Sequence, residues 1–286
     1  MEFYLLGDMG SGTEEQYKVS DVLAKHIQKS KSKKPFVCGL GDNIYENGCS
    51  GVDDKQFKTK FEDPYRIVSD DIIFHMVLGN HDYGYSNKSL DRKRNAQCQV
   101  DYSERSKKWS MPSNYYSFIK KGGGVSIEFF YLDTNLDILS DEEILEQTEY
   151  MKDKLKKSKC DWKIVVGHHT WRSVAGHGNA EEPLEKLLTE LFRTSPFDSY
   201  LCGHDHNKQV IELDLDNKKV NLIVCGTGGK AYHDEMNDYS KIGEDSDLYF
   251  CSNDLGLGHC RATKTKLHFS FLNGNGIEEF SYYLLK

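Results

Sequence analysis

No apolar run in the sequence is long enough to cross a bilayer, which excludes a helical membrane span. Basic residues are not in surplus either. Lys and Arg number 37 against 45 Asp and Glu, a formal net charge of −8. A partner held mainly through nucleic-acid phosphates is therefore disfavoured. The two basic runs, KSKSKKP ending at Pro35 and RSKKW ending at Trp109, read as solvated loops or helix ends. None of the eight cysteines stands in a C-x-x-C pair, so neither a thiolate zinc site nor a thioredoxin-type motif is supported. Cys38, Cys202 and Cys225 fall inside strand-like runs, where a free cysteine serves as a small core residue. The start, EFYLLGD, already reads as a working strand and shows no signal-peptide pattern. The expectation is a cytoplasmic chain, or a secreted or lysosomal one if the sequence is a trimmed mature form. Asn87-Lys88-Ser89 matches the glycosylation tripeptide but carries little weight without a secretion signal. Repeats, low-complexity tracts and linkers are missing, so residues 1–286 read as a single domain.

What is present alternates in type along the chain. Strands are expected at Glu2–Leu6, Phe36–Leu40, Ile72–Leu78, Ser126–Asp133, Lys163–Gly167 and Ser199–Cys202. Helices are expected from Thr13, an N-cap with Gln16 at the third helical position, to Lys29, over Asp53–Phe61, from Ser140 to Lys157, and near Pro183–Arg193. Tyr83 to Met111 is polar and reads as a long irregular loop. Val210–Leu215, Val220–Cys225, Leu267–Leu272 and Phe280–Leu284 alternate around turns such as Asp216-Asn217, the mark of antiparallel hairpins. An α/β chain of two packed mixed β-sheets flanked by helices follows.

Five of the apolar runs end in metal-binding side chains. In a mostly parallel sheet the carboxyl ends of strands share one crevice, so Asp8, Asp42, Tyr45, Asn80, His168, His204 and His206 are expected to converge. Oxygen donors mixed with imidazoles suit a pair of first-row metals better than calcium or magnesium alone. Asp42 has two oxygens with which to bridge them, and Asn80 adds a neutral amide oxygen. His204 and His206 would face the same side of an extended segment, with Asp205 facing away. Of the adjacent pair, His168 is taken as the ligand and His169 as a packing or hydrogen-bonding residue. His81 points into the substrate space, and His177, in the flexible Ala175-Gly176-His177-Gly178, folds back over the site.

Read in order, GDMG, GDNIY, GNHD, VVGH and GHDH resemble the metallophosphoesterase superfamily. Tyr45 narrows the resemblance to purple acid phosphatases, and the stretches around Tyr65, Phe118, Asn135 and Asn207 to the small, mammalian-type (tartrate-resistant) branch. The resemblance runs from about residue 3 to about residue 230 and implies the four-layer αββα sandwich of that superfamily. It places a ferric ion with Asp8, Tyr45 and His206, and a divalent Fe, Zn or Mn ion with Asn80, His168 and His204, bridged by Asp42. His81 and His177 would be the catalytic side chains that touch the phosphate or its leaving oxygen. Two features of the mammalian-type branch are absent: an exposed regulatory loop between Asp133 and Ser140, and a cysteine pair joining that region to the segment after His177.

The implied reaction is hydrolysis of phosphate monoesters by a metal-bound hydroxide attacking phosphorus, with a mildly acidic optimum. Small-molecule or protein phosphate esters would be the substrates, with no nucleic-acid or membrane partner and a monomeric chain. Two alternatives stay open: a phosphodiesterase acting on nucleotides or phospholipid head groups, and a non-catalytic scaffold that keeps the fold.

Overall fold

Two seven-stranded mixed sheets face each other, and the chain builds them in three blocks. The computed structural model describes residues 1–32, 34–84, 91–232 and 237–286. In the first block, β1 (Glu2–Leu6), β2 (Phe36–Gly39), β3 (Phe74–His75) and β4 (Trp109–Ser110) pair in parallel. The second sheet takes β5 (Tyr116–Gly122), β6 (Val125–Tyr131), β7 (Trp162–Val166), β8 (Ser199–Cys202), β9 (Lys208–Leu215), β10 (Lys218–Cys225) and β11 (Ser246–Ser252). The chain then returns for β12 (Gly256–Ala262), β13 (Lys266–Asn273) and β14 (Glu278–Leu285), with β12 antiparallel to β1. The orders are β14-β13-β12-β1-β2-β3-β4 and β11-β9-β10-β8-β7-β6-β5.

Strand alternation sorts side chains between layers. Phe129 and Tyr131 of β6 and Ile164 and Val166 of β7 point into the space between the sheets, where Phe129 meets Phe3 edge-on at 5.2 Å. Their neighbours Phe130 and Val165 face outward under two helices, α4 (Asp141–Lys157) and α5 (Glu182–Thr194). In α5, Leu184, Leu187, Leu188, Leu191 and Phe192 recur at helical spacing and are all buried, with Pro183 in its first turn. α4 opens on a capping box: Ser140 Oγ accepts the Glu143 N–H at 3.3 Å and the Glu143 carboxylate accepts the Ser140 N–H at 2.7 Å. On the first sheet, α1 (Glu14–Lys29) covers the outward face, where His26 Nδ1 pairs with Tyr4 Oη at 3.1 Å. The four layers are helix, sheet, sheet, helix. No helix among the described residues is long and apolar enough to cross a membrane.

The late hairpins form as expected. Asp216 and Asn217 both adopt positive φ (56° and 62°), the tight-turn geometry that suits a two-residue hairpin between β9 and β10. Other expectations need correction. Thr13 is the N-cap of α1, but its side chain does not cap. Thr13 Oγ1 bonds Ser11 Oγ, and Gln16 Oε1 accepts the Gly12 N–H. Of Ile72–Leu78, only Phe74 and His75 pair as strand. The 53–61 segment is a short turn, α2 (Lys55–Phe57), continuing through wider turns at Lys58–Glu62.

The region from Tyr83 to Met111 is not an irregular loop in its described part. It holds α3 (Arg92–Asp101), capped by Asp91 accepting the Arg94 N–H at 3.2 Å, and then β4. The physical reason is that α3 buries a mostly polar face, with Asn95, Ala96, Cys98 and Gln99, so it has no apolar period to read. The tripeptide Asn87-Lys88-Ser89 lies outside the described residues.

Candidate metal centre

Each predicted donor sits where the chain leaves a strand. Asp8 follows β1, Asp42 follows β2, Asn80 lies beyond β3, His168 follows β7, and His204 and His206 follow β8. The glycine preceding several of them has a packing reason. A Cβ on Gly79 would lie 2.1 Å from Asp42 Oδ1, and one on Gly203 would lie 2.3 Å from Asp8 Oδ2. The glycine of one motif therefore makes room for the carboxylate of another.

Three donors hold the left-handed backbone conformation that non-glycine residues seldom adopt: Asp8 at φ 56°, Asp42 at 50° and His204 at 72°. Such positions cost about 1–3 kcal/mol each and persist only where neighbours over-determine them. Here the strand tips bond one another. The Asp8 N–H donates to Gly41 O at 2.9 Å, the His204 N–H to Asp8 Oδ2 at 2.9 Å, and the Gly203 N–H to His168 O at 3.1 Å.

All seven predicted donors come together. Tyr45 Oη lies 2.9 Å from Asp8 Oδ1 and 3.0 Å from His206 Nε2. Donor atoms of Asp8, Asp42 and His206 lie within 4.8 Å of one another. Alongside, Asn80 Oδ1 is 3.0 Å from His168 Nε2 and 3.1 Å from His204 Nδ1. Asp42 stands between the groups, its Oδ1 3.4 Å from His168 Nε2.

The donor chemistry fits cations. His168 Nδ1 is engaged by the Leu40 carbonyl at 2.8 Å, which turns Nε2 toward Asn80 Oδ1 and His204 Nδ1. Lone pairs packed at about 3 Å need positive charge among them. Without a metal only a proton can serve. Burial opposes the charged imidazole of His168, but Asp42 and then Asp8 outweigh it and raise its pKa. Burial alone would raise the Asp42 pKa; His168 and His81 pull it below the ordinary carboxylate range. Burial, and after it the charges of Asp42 and Asp8, push the Tyr45 phenol well above its ordinary value, so a phenolate here requires a cation beside it.

His204 and His206 both reach the cluster, but not as i, i+2 neighbours of an extended segment. The chain leaves extended conformation at Cys202 and makes tight turns, with the Asp205 N–H donating to Gly203 O at 2.9 Å and the Asn207 N–H to Asp205 O at 2.7 Å. His204 presents Nδ1 and His206 presents Nε2. His169 bonds Thr134 Oγ1 through Nδ1 at 2.8 Å, with its ring 4.5 Å from that of His204.

His81 and His177 stand on the open side. His81 Nδ1 meets Glu46 O at 2.7 Å, and its ring lies 4.5 Å from that of Tyr45. His177 is exposed, with its ring 4.0 Å from that of His204. A cleft of about 400 Å³ opens beside the second donor group, lined by Asn80, Thr134, His169, His177 and His204 among others.

Sequence reasoning left two carboxylates without a role. Asp82 accepts the Asn43, Ile44 and Gly79 N–H groups at 3.1, 3.0 and 2.8 Å, tying the Asp42 loop to the Asn80 loop. Asp205 faces away from the donors as expected, but it is buried and holds the His177 loop. The only available signal was their place inside GNHD and GHDH.

Residues 1–208 match the family described as calcineurin-like phosphoesterase. The chain is 30% identical over 249 residues to tartrate-resistant acid phosphatase type 5 of Sus scrofa, covering 80% of this chain and 69% of that protein. It is 27% identical over 300 residues to purple acid phosphatase 7 of Arabidopsis thaliana, covering 98% of this chain and 85% of that one. Among solved structures, GAP50, the anchor in the inner membrane complex of Plasmodium, superposes with a TM-score of 0.84 at 21% identity, covering 100% of this chain and 88% of that one. That likeness concerns the fold alone.

Proposed function

This chain belongs to the calcineurin-like phosphoesterase family, within its purple acid phosphatase group, and from that premise we propose that it hydrolyses phosphate monoesters at two metal ions held by Asp8, Asp42, Tyr45, Asn80, His168, His204 and His206. The observation that carries the reading is the packing of Asp42 between two donor groups, Asp8–Tyr45–His206 on one side and Asn80–His168–His204 on the other. The phenol of Tyr45 and the hard oxygen of Asp8 suit Fe(III), while two imidazoles and an amide suit Fe(II), Zn(II) or Mn(II).

Bound there, the two ions supply Lewis-acid polarisation of a phosphate oxygen and acidify a water beside it. The protein's own groups do the rest. Asp42 keeps the two halves at a fixed spacing. The Leu40 carbonyl holds the His168 ring with Nε2 aimed at the site. His177, packed on His204 at the mouth of the cleft, delivers a proton to the departing alkoxide, and His81 lies on the other side beside Asp42. A mildly acidic optimum belongs to this reading through the likeness to acid phosphatases.

The test is metal quantification on protein purified without added metal, followed by a phosphate-release panel of monoesters and diesters. Two ions per chain and preferential release from monoesters are expected. A fully metal-loaded protein that releases no phosphate, or that prefers diesters, overturns the reading.

A further inference from the structure

We propose that Arg92 makes this centre selective for phosphomonoesters whose leaving group carries an anionic group of its own, a carboxylate or a second phosphate. The inference rests on the phosphatase reading above and deepens it.

α3 begins with three consecutive basic residues whose side chains part company. Lys93 is committed to Glu143 at 2.7 Å, and Arg94 lines a separate hollow with Ser50, Asp54 and Gln97. Arg92 turns into the cleft that holds Asn80, His177 and His204, and it is the one Lys or Arg among the described residues lining that cleft. Its guanidinium is poorly engaged. Nη1 approaches Asp137 Oδ2 at 3.7 Å, beyond hydrogen-bond length, and the Asp137 side chain is 69% exposed, so water screens the pair. Nε is buried with no hydrogen-bond partner. With Nε sealed off, the side chain, 28% exposed, offers its terminal Nη groups to the cleft, and a guanidinium so placed is a ready fork for an oxyanion.

The cleft also carries the carboxylates of Asp137 and Glu181, so its field alone does not gather anions. Selection then depends on directed guanidinium hydrogen bonds rather than on bulk positive charge. Lysine, a point charge without the planar fork, should not replace it.

The experiment uses the metal-loaded full chain with phenyl phosphate, 3-carboxyphenyl phosphate and benzene-1,3-diyl bisphosphate, whose phenols differ little in basicity. The wild type is expected to favour one or both anionic substrates in kcat/KM by about 10- to 100-fold, as for charge-assisted hydrogen bonds. That ratio should collapse toward one in Arg92→Gln and largely so in Arg92→Lys, with circular dichroism confirming the fold. The two anionic arms separate carboxylate from phosphate recognition. A wild type without preference, or a Gln variant that keeps it, overturns the proposal. If none of the three is hydrolysed, the phosphatase reading is what has failed. Calorimetric binding of the same compounds then decides the role of Arg92, since equal affinities in wild type and Arg92→Gln overturn it and a selective loss supports it.

Discussion

Asp205 reaches across 28 residues of sequence to accept the backbone N–H of His177 at 2.9 Å, while its other oxygen accepts the Ser173 hydroxyl. A carboxylate placed between His204 and His206 thus sets the position of the loop that carries His177, which is not one of the donors. Asparagine offers one oxygen where aspartate offers two, so Asp205→Asn leaves Ser173 or His177 facing an amide N–H. The expected loss of stability is about 1–3 kcal/mol. Phosphate release from esters with strongly basic leaving groups should fall about tenfold, less than the ~10²- to 10⁴-fold that a general acid contributes, because His177 is displaced and not removed. His177→Ala should show the same leaving-group dependence with metal content intact. A plot of rate against leaving-group basicity checks both. If His177→Ala slows only the good leaving groups, the proton-donor role is wrong.

Tyr45 is the one donor whose loss should be visible to the eye. Its oxygen sits 2.9 Å from Asp8 Oδ1 and 3.0 Å from His206 Nε2, inside the group assigned to the trivalent ion. A tyrosinate on ferric iron absorbs visible light. Tyr45→Phe is therefore expected to bleach that band while leaving the second group's metal in place. A visible spectrum paired with metal analysis is the measurement. A wild type that is colourless, metal-loaded and active would instead assign zinc, manganese or ferrous iron to the Tyr45 side.

Metal removal should cost stability as well as activity. Asp8 and Asp42 are both buried within one donor cluster, so cations that neutralise them bind the folded chain and not the unfolded one. At free metal one hundredfold above its dissociation constant, that linkage is worth about 2.7 kcal/mol for one site. Chelation should lower the melting temperature and added metal should restore it. His204→Ala, which deletes one donor of the second group, should retain one ion and recover only part of the shift. Thermal melts with matched metal analysis test this, and a melting temperature indifferent to chelation refutes it.

The candidate donors stood out in the sequence because each sits within a few residues of an apolar run, and for Asn80 and His204 the preceding glycine, Gly79 or Gly203, leaves the space that the Asp42 or Asp8 carboxylate fills. The hairpin at Asp216-Asn217 and the start of α4 at Ser140 were legible for the same reason, since their chemistry is local. What escaped was non-local or polar. α3 is held by Gln99 bonding Asp82 at 2.8 Å and Asn95 bonding the Asn47 carbonyl at 3.2 Å, contacts that leave no hydrophobic period. β12 lies inside its sheet between β13 and β1, although the sequence reading named no strand there, where Gly256 and Gly258 interrupt the pattern. A Cβ on Gly256 would lie 1.9 Å from the Leu272 carbonyl of β13. The roles of Asp82 and Asp205 depend on partners distant in sequence, Asn43 and Ile44 for the first and Ser173 and His177 for the second.

An acidic working range would be set against the protein's own stability by His75. Its ring stacks on Phe118 at 4.0 Å, and both ring nitrogens are buried without a hydrogen-bond partner. Burial, reinforced by Lys120, lowers its pKa from the ordinary 6.5 to about 3. The sign follows from proton counting. Between about pH 6.5 and about 3 the unfolded chain binds a proton at this position and the folded chain does not. Stability therefore falls as pH drops through that window, by about 1.4 kcal/mol per pH unit from this residue. His75→Phe keeps an aromatic ring in an aromatic pocket and removes the titrating group. Urea unfolding from pH 7 to pH 4 should show the variant gaining on the wild type as pH falls, with little difference near pH 7.5. Parallel stability profiles for the two proteins across that range would show that His75 finds a way to protonate within the folded core.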